Sequence, residues 1–278
     1  MAESRKLIGG LLTLLLSIVY LSPIYILIVN SFKNRAEIYE SVLGLPDSFS
    51  FQYYLEAIDK MNFFNALWNS LYETIVSIVI LIILTSMAAW MLVRTNNMMS
   101  KIIFSTLVAT MLIPFQTIMM PLMQFMNSIS RTTGIDMLNT LGGLIYMNVG
   151  FHAAMAVFLY HGFIKSIPRS LEEAAIIDGC SKFGVFWRIV FPILKPITVT
   201  VMILNAIQIW NDYLLPSLTI SNPELRTIPL STFFFFGQFT IQWNLAMAGL
   251  VMTIIPVVIF YAFSQKYIIK GIGEGAVK

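Results

Sequence analysis

The side chains that could do chemistry in this 278-residue chain are few, and they are not arranged for catalysis. His152 and His161 lie nine residues apart with no Cys, Asp or Glu beside them at ligand spacing, so they predict no metal centre. Cys180 is the single cysteine, which excludes an intrachain disulfide. The chain has no G-x-x-x-x-G-K-[ST] phosphate loop and not even a Gly-Lys pair, so any ATP hydrolysis must belong to another polypeptide. No nucleophile and base stand at a recognisable spacing, and the chain reads as a non-enzyme. Two groups of polar residues remain. One is the stretch Glu172-Glu173-Ala174-Ala175-Ile176-Ile177-Asp178-Gly179, whose charges and glycine cannot lie in hydrocarbon and must face water and a partner there. The other is a set of neutral amides in apolar surroundings, Gln116, Asn148, Asn205 and Gln208, together with Asp212. Amides with aromatic neighbours suit a sugar, whose hydroxyls need donors and acceptors and whose ring faces stack on aromatics. Amides that bond only between helices are the alternative at these positions.

The elements that hold these residues are membrane helices. The chain is 58% hydrophobic and 11% charged, with a mean hydropathy of +0.80, outside the range of soluble domains. Six apolar runs, Leu7–Val29, Leu71–Val93, Ile102–Phe125, Leu141–Phe163, Ile197–Leu218 and Leu245–Ile268, are each 22 to 24 residues long, enough to span the hydrocarbon layer. They are apolar all round, whereas a barrel needs short alternating segments, so the fold class is all-α with six transmembrane helices. The first run is too long for a signal-peptide core and is read as a retained helix. Twelve of the seventeen basic residues fall on one side if the N-terminus is inside, which places both termini in the cytoplasm. That bias accounts for the net charge of +3 without a nucleic-acid partner.

The segment of residues 164–196, on the cytoplasmic side, is expected to form two short helices. Ser170 is placed as N-cap, with Glu172 and Glu173 in the first turn where the helix dipole favours carboxylates. Gly179 turns the chain, and Phe183, Phe186, Trp187 and Val190 then recur at helical spacing as an apolar stripe. On pattern alone an interfacial connector reads as well as a docking element. On the other side, residues 30–65 form a short connector, and the loops at 126–140 and 221–243 are also short. Pro23, Pro114, Pro121, Pro216 and Pro256 fall inside runs, either as kinks or as breaks that open a passage. Asn205, Gln208 and Asp212 share a helix face by spacing. Asn69 and Glu73 are expected at similar depth to Asn211 and Asp212, as an interhelical polar cluster.

The sequence of Glu173, Ala174, Ala175, Gly179, Ile189, Phe191 and Pro192 resembles the signature loop of permease subunits of ATP-binding-cassette importers, with phenylalanine where leucine is usual. The likeness extends through Asn69-Ser70-Leu71, Ala88-Ala89, Arg94, Ile113-Pro114, Pro121-Leu122, Ser166-Ile167-Pro168, Phe186-Trp187-Arg188-Ile189, Trp210-Asn211-Asp212-Tyr213, Leu225–Leu230, and Lys270-Gly271 with Gly275-Ala276-Val277. It points to the carbohydrate-uptake branch, maltose-permease type, smaller six-helix subunit. The resemblance implies the type I importer permease fold. Residues 1–65 would form a first helix and connector, residues 66–268 the permease domain with its coupling loop, and residues 269–278 a tail. It implies a bacterial or archaeal cytoplasmic membrane protein that passes a sugar or related polyol. Its partners would be a homologous second permease, two copies of a cytosolic ATPase that bind ATP and Mg, and an extracytoplasmic solute-binding protein. This chain would then hold no cofactor of its own. Glu172, Glu173, Ala174, Ala175, Asp178, Gly179, Phe183 and Trp187 would form the ATPase-docking face, with Glu173 paired to a basic residue there. The rival from another class is a secondary transporter driven by an ion gradient, which calls for ionisable groups at the midplane and repeated halves.

Overall fold

Hydrocarbon offers backbone N–H and C=O groups no partner, so each apolar run must close its own hydrogen bonds. The computed structural model describes the backbone of residues 2–237 and 241–276 and the side chains of residues 9–237 and 241–265. Helix α1 (Ala2–Asn30) carries the first run. The connector that follows holds α2 (Arg35–Glu40), capped by Asn34, and α3 (Gln52–Lys60). Next come α4 (Phe63–Thr95), α5 (Met98–Thr110), α6 (Phe115–Thr133) and α7 (Leu141–Ile164). The segment after α7 contains α8 (Arg169–Ile177), α9 (Lys182–Val185), a π-helical turn at Phe186–Val190 and α10 (Phe191–Ile193). The remaining helices are α11 (Lys195–Asn211), α12 (Leu214–Thr219), α13 (Ile228–Thr232) and α14 (Trp243–Ala276). Thus residues 126–133 belong to α6 rather than to a loop.

Among the described residues four helices are long and apolar enough to cross a membrane by themselves, and up to six spans result if two bent pairs each count as one. The pair α5 and α6 bends by 109°. Pro114 sits in that break as the residue before α6, because its ring excludes the helical conformation from Ile113 and it has no N–H to donate. The third apolar run is therefore two helices at an angle. The other pair, Lys182–Ile193 and Lys195–Asn211, bends by 75°. That bend precedes the fifth run, which is itself broken at Asp212, whose ψ of 124° leaves the helix. Pro23, Pro121 and Pro256 lie within continuous helices, and Pro216 falls in the first turn of α12, where a missing N–H costs little.

The chain divides into two compact units, Met1–Ala66 with Ile228–Ile259, and Leu67–Thr227 with Phe260–Lys278. In the first, Ala57, Met61, Phe235, Leu245, Ala246, Ala248 and Met252 form the core. Gly249 is part of this packing, since a Cβ there would lie 3.0 Å from the Phe235 ring and 3.6 Å from Met61 Sδ. The connector is held by rings: Phe32 packs against Phe49, Phe51 and Tyr54 at centroid distances of 5.4 to 5.5 Å. Lys33, 1% exposed, donates to the Ser41 carbonyl at 2.7 Å.

In the second unit α7 is the most enclosed helix, with residues as far apart as Leu144 and Ile164 fully buried. Tyr160 donates its hydroxyl to Thr198 of α11 (3.0 Å), and His161 stacks on Phe104 of α5 at 3.7 Å. The entry to α7 is fixed by Asn139, in the left-handed region at φ 58°. Its N–H donates to Thr219, and its side-chain oxygen accepts from Ser221 and Asn222.

Candidate functional site

The charged segment after α7 is built onto the end of α4. Helix α8 begins directly behind Pro168, whose ψ of 132° is extended, so the expected cap Ser170 is already inside the helix and makes no side-chain cap. Within this helix Glu172 faces inward and is 7% exposed. Its Oε1 accepts from Arg94 Nε at 2.8 Å and pairs with Arg94 Nη2 at 2.6 Å, while its Oε2 accepts from Trp90 Nε1 at 3.0 Å. Arg94 also donates to the Ile167 carbonyl at 3.0 Å. One turn of α4 therefore grips both the turn before α8 and its first turn, through charge-assisted bonds of the strong class.

Two of the residues expected on the docking face are turned into this chain. Glu172 spends its carboxylate inside the chain, and Ala175, 7% exposed, packs into the core with Ile167, Val185 and Phe186. The water-facing side carries Leu171, Glu173, Ala174, Ile176, Ile177 and Asp178. Ile177 is 85% exposed, and nothing among the described residues covers it.

The helix stops for a backbone reason. Gly179 has φ 86°, the left-handed region where a Cβ is strained. Its N–H donates to Ile176 at 3.0 Å and that of Cys180 to Ala175 at 2.9 Å, the paired bonds of a Schellman termination. Ser181 then caps α9 by accepting from Gly184 at 3.2 Å. The π-helical turn widens the second leg by one residue, which shifts the buried stripe from the expected one. Val185, Phe186, Val190 and Leu194 are buried, whereas Phe183 is 63% exposed. Trp187 packs on Phe183, Phe186 and Phe191 at 5.0 to 6.0 Å, and Phe186 meets Trp90 of α4 at 5.5 Å.

The amides are distributed differently from their spacing. Asn148 is fully buried on α7 and donates to Glu73 of α4 at 2.8 Å. Its carbonyl accepts from His152 Nδ1 at 2.9 Å, which fixes the proton on that nitrogen. Asn148, His152 and Asp212 line one cavity of about 270 Å³ with Phe115 and Phe151. Asp212 caps α12, accepting from Leu214 and Leu215 at 2.9 and 3.4 Å. Asn205 and Gln208 do not share a face: Asn205 is buried with Val201 and Ile209 and bonds back to Val201 at 2.7 Å, while Gln208 lies on the exposed stripe with Leu204 and Asn211. Gln116 is exposed one residue past the α5–α6 break. Nor does Asn69 join Asp212; it donates to the carbonyls of Glu224 and Arg226 at 2.8 and 3.1 Å. Among the described residues no group of three or more His, Cys, Asp or Glu could hold a metal ion.

Residues 87–274, which contain the whole of this loop, match the family model described as binding-protein-dependent transport system inner membrane component. The chain belongs to that family. It is 44% identical over 99% of its length to the probable starch degradation products transport system permease protein AmyC of Thermoanaerobacterium thermosulfurigenes, covering 97% of that protein. It is 36% identical to the melibiose/raffinose/stachyose import permease protein MelC of Bacillus subtilis, with both chains covered completely. Its fold matches a chain of the crystal structure of a bacterial ABC transporter involved in the import of the acidic polysaccharide alginate, with a TM-score of 0.81 at 22% identity over 95% of this chain and 96% of that one. The type I importer permease fold expected from the sequence is the fold observed, and the protein is a multi-pass inner-membrane component. Within this permease the sequence missed the Arg94–Glu172–Trp90 contact. Trp90 and Arg94 stand four apart, on one face at the end of a span, and a buried acid opposite such a pair was the available signal.

Proposed function

We propose that this permease is the membrane-spanning subunit of an ATP-driven sugar importer, and that α8 couples it to a cytosolic ATPase. The observation that carries this reading is the division of labour between adjacent carboxylates. Glu172 is locked to Arg94 and Trp90, while Glu173, beside it, is exposed on the same face as Ala174, Ile177 and Asp178. A connector needs no such split; a docking helix needs both a rigid base and a presented face. Glu173 then pairs with a cation of the ATPase, and Ile177 fills an apolar recess beside it. Phe183 and Trp187 extend that face along the second leg. Two ATPase copies, which would bind the ATP and Mg, a second homologous permease and an extracytoplasmic binding protein complete the assembly, and the loop side is cytoplasmic. The sugar class rests on the names of the two relatives, one given for starch degradation products and the other for melibiose, raffinose and stachyose.

Asn148 and Asp212, which line one cavity with two aromatic rings, are the best supported pathway residues. Gln116 and Gln208 face outward and can meet the pathway only through the second permease, and the buried Asn205 bonds within its own helix. The test is sugar-stimulated ATP hydrolysis by the co-expressed importer in lipid nanodiscs. Glu173→Ala should abolish the stimulation while leaving the complex membrane-inserted. Wild-type stimulation by that variant would sink the coupling role.

A further inference from the structure

A second concavity lies beside the loop, where α4 and α7 end and α5 and α8 begin. It encloses about 540 Å³, and four of its lining side chains are cations, Arg94, Lys101, Lys165 and Arg169, with no carboxylate among the lining residues. Glu172 neutralises Arg94 from behind. Lys101, Lys165 and Arg169 form no ion pair among the described residues. They arrive from three different places: the first turns of α5, the residue after α7 and the first residue of α8. A topological bias explains basic residues near span ends. It does not by itself gather three cations without an ion pair round one concavity; all three side chains are exposed, so water screens their repulsion, and an anion seated among them would add attraction to each. The amino end of α5, a 13-residue helix, adds its positive dipole end to the same spot.

The flank of α5 that borders the pocket is apolar. Met98 and Ile102, each three residues from a lining residue (Lys101 and Ser105), are 73% and 50% exposed, and Met99 and Ile103 carry the strip round the helix, away from the pocket, at 61% and 44%. A soluble anion would use the cations and leave the strip bare; an amphiphile uses both. We infer that this pocket binds the phosphodiester headgroup of an anionic phospholipid, whose acyl chains lie along the exposed face of α5. Basic pockets between membrane helices suit such headgroups, with each lysine or arginine contributing on the order of 1 kcal/mol of attraction. Because Arg169 opens α8 and Arg94 holds it, a lipid seated here also braces the base of the loop.

The test is native mass spectrometry of the full chain in a neutral detergent, titrated with dioleoylphosphatidylglycerol and, in parallel, dioleoylphosphatidylcholine. One saturable phosphatidylglycerol adduct is expected, weakened at least about tenfold in Lys101→Gln/Lys165→Gln, on the scale of two lysine contacts. It should be retained in Lys101→Arg/Lys165→Arg and in Lys182→Gln, an exposed lysine outside the pocket. Equal loading of the two lipids, or unchanged phosphatidylglycerol binding by the Gln double variant, overturns the site. Displacement by millimolar inorganic phosphate overturns the lipid assignment in favour of a soluble anion. The readout needs neither ATPase nor sugar, so its result is independent of the transport reading.

Discussion

Removing the Glu172 carboxylate tests the mechanical base of the loop. In Glu172→Ala, Arg94 loses contacts of 2.6 and 2.8 Å and Trp90 one of 3.0 Å, and a guanidinium only 15% exposed is left without its anion. Breaking a buried pair costs roughly 3 to 5 kcal/mol, and the residual solvent access of both partners argues for the lower end, about 3 kcal/mol. Since α8 is a short surface helix held by this clamp and by its packing on α9 and the π-helical turn, that loss should fall on local opening rather than on global unfolding. About 3 kcal/mol corresponds to roughly 150-fold faster amide exchange, at about 1.36 kcal/mol per decade. The assay is hydrogen–deuterium exchange of the detergent-solubilised chain, followed on peptides covering residues 171–179. Glu172→Gln, which keeps an oxygen acceptor without the charge, should accelerate exchange only about tenfold, and the Arg94→Ala/Glu172→Ala pair should cost less than the sum of its members. Exchange in Glu172→Ala within fivefold of wild type would refute the clamp and, with it, the claim that Glu172 is spent inside the chain.

Glu173→Ala should leave the exchange of residues 171–179 unchanged, because its side chain is exposed, so a defect confined to ATPase stimulation separates docking from folding. Gly179→Ala forces a Cβ into the left-handed region at φ 86°, costing about 1 to 2 kcal/mol; the readout is a roughly 5- to 30-fold increase in exchange at Asp178 and Cys180. Gly143→Ala should be far worse, since its Cβ would run into the Met137 carbonyl oxygen in the backbone entering α7; yield and melting temperature in detergent should both drop sharply. Asn148→Leu deletes the amide that donates to the buried Glu73 carboxyl and should cost about 1 to 3 kcal/mol, read as a lowered thermal midpoint.

The chain alone determined its class, its six apolar runs and its charged, glycine-broken loop, because each of these is written in local composition and short-range order. Length and hydropathy decide whether a segment can lie in hydrocarbon, and a glycine between two short helical patterns decides where a turn must fall; Gly179, at φ 86°, is where that turn occurs. Which of two adjacent glutamates faces inward was not legible. The answer depends on Trp90 and Arg94, some eighty residues away, waiting at the end of α4. The third run gave no sign by its hydropathy that it bends by 109°, although Pro114 marked the spot. Asn205, Gln208 and Asp212 fell on one face by counting, but the helix ends at Asn211 and only Asp212 reaches the cavity with Asn148. Periodicity fixes how residues are spaced around one helix, whereas neighbouring helices and breaks decide which of its sides is enclosed. For the polar residues of this permease, only tertiary packing made that choice.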